Sequence, residues 1–241
     1  MTFYTFSVIV SFMNHIFHID NPFFRFMGNV ADLVILNFLF LICCIPIVTI
    51  GASFTAAYYV ALKKVRGEES YIARSFFHSF KQNFRQSTII WLIFLFLGIL
   101  LSFDFQIINT LEGSVSVILN YLMIVAVLFS IMIFLYVFPV LARFYNPIKI
   151  TLKNALLMAV RHLPYTILMF GITAGFIFIT FLNYTSLAYG LLIWIVIGFA
   201  LIIFINSYFF RKIFDYYTPS EEQAPKKSEL SCESSDMNKD R

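Results

Sequence analysis

Charge is what this chain most conspicuously lacks: only 12% of its 241 residues are Asp, Glu, Lys or Arg. A soluble domain carries about 25%, so a water-soluble globular protein is excluded. Disorder is excluded on the same ground, because a disordered chain needs low hydrophobicity and high net charge. Three Cys make no disulfide framework. Cys43 and Cys44 are neighbours inside an apolar run, where small apolar packing is their expected role, and Cys232 stands in a polar tail. The Gly-rich phosphate loop, the nucleophile elbow and the HExxH zinc helix are all missing. His15 and His18, near Asp20, lack the further ligands a metal needs. Neither a catalytic set, a cofactor, a metal nor a nucleic-acid partner is therefore expected.

What the chain has instead is apolar mass. Hydrophobic residues make up 60%, with 31 Phe and 13 Tyr, and the mean hydropathy is +0.84. The charges bound long uncharged gaps: 30 residues between Asp32 and Lys63, 18 between Arg85 and Asp104, 30 between Glu112 and Arg143, and 49 between Arg161 and Arg211. A helix needs about 20 apolar residues to cross about 30 Å of hydrocarbon. The gaps predict five spans, at about 33–55, 88–108, 116–138, 165–182 and 188–209. The last two are separated by a polar cluster, Asn183, Tyr184, Thr185 and Ser186. No period-2 alternation supports a membrane barrel, so the expected class is an all-α, polytopic membrane helix bundle.

Of the 17 basic residues, 16 fall in the segments after spans one, three and five, and only Arg25 falls elsewhere. The positive-inside rule then puts both long connections and the C-terminus in the cytoplasm and the N-terminus outside. Residues 1–20 read as an interfacial segment rather than a signal peptide, and Met13 offers an alternative start that leaves residues 1–12 aside. Residues 21–217 form the membrane domain. Residues 218–241, with six acids and four bases, read as a disordered tail.

The connection at 65–86 carries a helical pattern. Ile72, Ala73, Phe76, Phe77, Phe80 and Phe84 share one arc, with Arg74, Lys81 and Arg85 beside it. Two compatible readings follow: a helix on the inner membrane surface, or one packed across the cytoplasmic ends of the bundle. Leu152, Leu156, Ala159 and Leu163 repeat the spacing of Ala73, Phe77, Phe80 and Phe84, and Pro46 resembles Pro139 in placement. Two amphipathic surface helices and a weak parallel internal repeat are therefore expected.

Ionisable groups are nearly absent from the spans. Asp104, in the last turn of the second, reads as an interfacial end-cap residue. Asn37, Asn120, Ser130 and Asn206 are neutral and serve either helix packing or a pathway. The block at 45–57 is the most distinctive. Pro46 removes a backbone donor, while Gly51 and its small neighbours permit close approach. It predicts a kinked first span with Asn37, Pro46, Thr49 and Gly51 as candidate kink or lining residues. Arg74, Phe77, Phe80, Lys81, Phe84 and Arg85 are the candidate surface or partner-helix residues.

Several of these features recur together: Leu36 and Asn37, the block of Pro46, Thr49, Gly51 and Ala52, the pair Tyr58 and Tyr59, the turn Arg66, Gly67 and Glu68, and the run from Phe76 to Phe84. In this combination the chain resembles the YesL-like family of bacterial membrane proteins, a family without an assigned activity. The similarity continues more loosely through residues 152–164. It implies a multi-pass protein of the bacterial plasma membrane, with an accessory role near sugar uptake and polysaccharide use and a sugar transporter component as partner. A non-enzymatic, partner-binding protein is the expected function. The alternative is a small channel or transporter using the kinked first span.

Overall fold

The computed structural model describes residues 22–68, 71–110 and 113–217. The interfacial segment and tail expected at 1–20 and 218–241, with His15, His18, Asp20 and Cys232, lie outside the described residues, as does Glu112. The described residues are helical almost throughout. Helix α1 is Pro22–Cys44, and a 3-10 turn, Ile47–Thr49, leads into α2, Ile50–Val65. Then come α3 (Ile72–Thr110), α4 (Ser114–Arg143), α5 (Ile148–Arg161) and α6 (Leu163–Phe181). The last helix begins as α7 (Tyr184–Ile193), passes through a π-helical turn at Trp194–Gly198, and continues as α8 (Phe199–Tyr217). Five helical stretches are long and apolar enough to cross a membrane: Phe26–Cys44, Ile72–Thr110, Ser114–Arg143, Leu163–Phe181 and Tyr184–Tyr217. This agrees with the span count read from sequence, and the polar break near Asn183 separates the last two as expected.

The first span differs from its prediction. It does not run through a kink to residue 55. It ends at Cys44, and the chain turns back. Pro46 lacks an N–H and disfavours helix at the residue before it. The Thr49 hydroxyl lies 2.6 Å from the Cys43 carbonyl, a helix-end group left without an intrahelical donor, and 2.7 Å from that of Pro46, which also accepts the Thr49 N–H. Helix α2 then runs antiparallel to α1: Phe54 meets Phe40 edge-on at 4.9 Å, and Lys64 pairs with Asp32. Asp32 therefore sits at the same end of the bundle as Lys63, Lys64 and Arg66. The sequence reading had separated them by the membrane.

Helix α2 is the centre of the bundle, with 11 of its 16 residues buried. At 16 residues it is about 24 Å long, short of the ~30 Å hydrocarbon thickness, and it is not among the five. Its small residues Gly51, Ala52, Ala56, Ala57 and Ala61 let α1, α3, α4 and α8 close around it.

The amphipathic stretch at 72–86 is not a separate surface helix. It forms the first part of the continuous 39-residue α3, about 58 Å long. The face it buries is Phe76, Ser79, Asn83, Ser87 and Ile90, directed at α2. Phe77 and Phe84 point outward and Phe80 is half-buried between them; Arg74, Lys81 and Arg85 are exposed. Between apolar helices in lipid, close backbone approach and hydroxyl pairing favour small polar residues at the contact, which inverts the pattern expected of a soluble amphipathic helix. The second stretch, α5, is a distinct helix packed on α4, burying Thr151, Ala155, Met158 and Ala159. The two halves thus do not share an element pattern. Pro46 ends a helix, whereas Pro139 lies inside the unbroken α4.

Candidate functional site

The π-turn at Trp194–Gly198 sets the local geometry. One extra residue in the helical turn shifts backbone pairing from i+4 to i+5 and leaves groups without their usual partners. Asn37, fully buried in the middle of α1, takes them up. Its Nδ2 donates to the carbonyls of Trp194 at 3.1 Å and Ile195 at 2.7 Å, and its Oδ1 accepts from the Ala200 N–H at 3.0 Å. The Trp194 indole is held as well: Nε1 donates to the Thr180 hydroxyl at 2.9 Å, which itself donates to the Phe176 carbonyl. A Cβ on Gly198 would meet the Trp194 ring at 3.0 Å, so the glycine makes room for it.

Beside the Trp194 ring lies a cavity of about 260 Å³ between α2, α4, α6 and α8. Its walls are aromatic and aliphatic, among them Phe54, Phe134, Phe138, Phe170 and Phe199. Its polar groups are Tyr58, Thr173 and Asn206. The Thr173 hydroxyl gives its proton to the Met169 carbonyl at 2.9 Å, so it can only accept from Asn206 Nδ2, 3.4 Å away. That fixes the orientation of the amide and leaves Asn206 Oδ1 buried with no hydrogen-bond partner. Tyr58 stands against the same amide, so the cavity is an apolar chamber with one small polar cluster in its wall. It suits a hydrocarbon or ring whose polar end carries a single donor. Among the described residues, no group of three or more His, Cys, Asp or Glu is placed to hold a metal ion.

The residues singled out by sequence reach different places. Asn37 borders the π-turn without lining the cavity, and Thr49 and Pro46 form the turn between α1 and α2. Gly51 is pressed against α3, where a Cβ would lie 2.6 Å from the Ser87 carbonyl oxygen. Asn206 does line the cavity, whereas Asn120 and Ser130 bond carbonyls of their own helix. Asp104 is exposed near the tip of α3. Trp194, Thr173 and the π-turn had escaped sequence reasoning. A π-turn adds one residue to an apolar run and leaves its composition unchanged, so no hydropathy pattern reveals it.

Two comparisons with known proteins bear on this chain. Residues 33–105 match a family described as a protein of unknown function, DUF624. The matched stretch includes Asn37, the Pro46 turn, all of α2 and most of α3. The chain is also similar to a Bacillus subtilis (strain 168) protein described as uncharacterized protein YteU, with 27% identity over 127 residues. That alignment takes in 52% of this chain and 57% of the relative, so the chain spans a little over half of that protein's length. No solved structure matches.

Proposed function

We propose that this chain is a non-enzymatic accessory protein of the bacterial plasma membrane that binds another membrane protein, a sugar transporter component being the partner class suggested by the YesL-like resemblance. The observation that carries this reading is the outer part of the α3–α4 hairpin. From Leu92 to Thr110 only Ile108 is buried, and from Ser114 to Leu135 no residue is. Two arms of about 28 Å or more thus leave the bundle and present apolar side chains on every side, including Phe96, Phe103, Ile118 and Leu122. Apart from Phe94 and the stretch from Met132 to Leu135, which pack against the core, the hairpin leaves its length open for a second protein to pack along. By the positive-inside rule the end bearing Lys63, Lys64, Arg66, Arg143 and Arg211 faces the cytoplasm. Because α1 and α2 form a hairpin, α1 also starts on that side.

The pathway alternative draws less support. Asn37 spends its polar groups on backbone inside the bundle, Thr49 spends its hydroxyl on the turn after α1, and Gly51 is closed against α3.

Crosslinking in intact cells followed by purification in mild detergent tests the proposal. A transporter subunit should be recovered with the chain. Gly98→Leu, on an exposed position of α3 with open space around it, should reduce the yield without lowering stability. No recovered partner, together with unchanged sugar uptake after deletion of the gene, refutes it.

A further inference from the structure

The basic end of the bundle holds an arginine whose charge the protein only half answers. Arg66 caps the C-terminus of α2, its backbone N–H directed at the carbonyls of Leu62, Lys63 and Lys64. The following turn is fixed: Gly67 takes a left-handed φ of 76°, and the Gly67 and Glu68 N–H groups bond the carbonyls of Lys64 and Lys63. The Arg66 side chain is only 16% exposed, and its Nη1 lies 3.5 Å from Glu68 Oε1. Nε and Nη2, which form the opposite edge of the guanidinium, are buried without a hydrogen-bond partner.

The surroundings add positive charge. Arg143, in the last turn of α4, lies close enough to act on Arg66. Burial, and then Arg143, push the Arg66 guanidinium below its ordinary range, while Glu68 and Asp215 oppose this. Arg211 is already committed, with Nη1 donating to the Val65 carbonyl at 2.7 Å and Nε 3.7 Å from Asp215. A guanidinium does not shed its proton in a protein, so an unanswered fork is relieved only by an acceptor brought to it.

We propose that the Nε and Nη2 edge of Arg66, assisted by Arg143, binds a phosphate-type oxyanion. Two parallel N–H donors match two oxygens of one phosphorus centre, a geometry an ammonium cannot reproduce. The site lies at the ends of α2 and α4, on the side to which the basic residues gather. Two sources carry this chemistry: the phosphate of an anionic lipid headgroup and free inorganic phosphate.

The test uses the full chain, purified in mild detergent, with thermal unfolding followed at constant ionic strength. Inorganic phosphate is titrated in one arm and phosphatidylglycerol in the other. A rise in melting temperature with phosphate alone identifies a free-anion site, and a rise with the lipid only identifies a headgroup site. In either case Arg66→Lys and Arg143→Gln should raise the half-saturating concentration by about tenfold or more. Arg143→Gln keeps the test open should the Arg66 variant fail to fold. If neither titrant shifts the melting temperature, or if the variants saturate as the wild type does, the proposal is overturned.

Discussion

The close approach of α2 to α3 at Gly51 offers a direct test of how α2 is held. Alanine in place of Gly51 should stabilise an isolated helix by ~0.5–1 kcal/mol, since Gly has more backbone freedom to lose. Here the opposite is expected. The new Cβ would stand 2.6 Å from the Ser87 carbonyl oxygen and 2.7 Å from Trp91 Cβ, whereas ordinary contact begins at 3.4 Å. One obstacle is backbone and the other is the root of a side chain, so neither yields by changing rotamer. Relief requires α2 and α3 to part by about 0.8 Å, the difference between 3.4 and 2.6 Å. The buried Thr55–Ser87 hydroxyl pair, now at 2.9 Å, would then stretch to about 3.7 Å and cease to bond. Overpacking costs ~1–3 kcal/mol and the hydrogen bond ~0.6–1 kcal/mol. Less the gain in helix propensity, the net loss is about 1–3 kcal/mol. Reversible unfolding in mixed micelles, followed by far-UV circular dichroism, measures it. Gly98→Ala is the control, because Gly98 lies on the same α3 with nothing within 4 Å; that variant should be neutral or more stable by up to ~1 kcal/mol. A Gly51→Ala protein as stable as the Gly98→Ala protein would refute the reasoning. So would a Thr55–Ser87 coupling, measured by double-mutant cycle, that survives in the Gly51→Ala background.

Three further outcomes follow from the same contacts. Asn37→Leu strands two carbonyls and one N–H at the π-turn and should cost about 2–3 kcal/mol. Deleting Val196 in that background removes the extra residue of the turn and should recover part of the loss, and a double variant less stable than Asn37→Leu alone would sink the clamp. Asn206→Leu removes a buried oxygen that has no partner together with the long Nδ2 donation to Thr173 at 3.4 Å and should change stability by no more than ~1 kcal/mol in either direction; a loss as large as that of Asn37→Leu in the same unfolding assay would show that the amide is fully bonded. His162, at the junction of α5 and α6, has its Nε2 3.3 Å from the Tyr217 hydroxyl, and burial, then the charge of Arg161, push its imidazole below the ordinary 6.5. The unfolded chain then takes up the proton first, so this contribution to stability is full above pH 6.5 and is lost as pH falls through 6.5 toward the folded value. The melting temperature of the wild type should fall relative to His162→Gln across that window, and parallel pH profiles would refute it.

Much of the fold was legible in the sequence because hydrocarbon imposes a length on every crossing. The gaps between charges located α4, α6 and the α7–α8 helix closely, and the polar cluster at Asn183 marked the turn between the last two. Residues 45–65 failed that reading for a physical reason. A 30-residue uncharged gap was read as one span with slack, yet it holds a helix end, a turn and most of a returning helix. The signal, Pro46 next to a dense run of small residues, reads equally as a kink within one span and as a turn between two helices. In lipid, the most buried helix is not the most hydrophobic one: it is the one whose Gly, Ala, Ser and Thr let neighbours approach, and α2 is built of them.

The same inversion explains why Phe77 and Phe84 gave a misleading face. Their rings share the predicted arc with Phe76 and Phe80, but α3 buries Phe76 with Ser79, Asn83 and Ser87 and leaves those two rings outside. Charge was legible only by position, as a side of the membrane. That Arg66 is buried with one edge unpartnered while Lys64 is paired depends on how α2 ends against α4 and α8. The two residues are close in sequence and equal in formal charge, so composition and spacing could not separate them. What separates them is the α1–α2 hairpin. It carries Asp32 back to Lys64, and it leaves Arg66 at the bundle end within reach of the charge of Arg143, with the Nε and Nη2 edge of its guanidinium unpartnered.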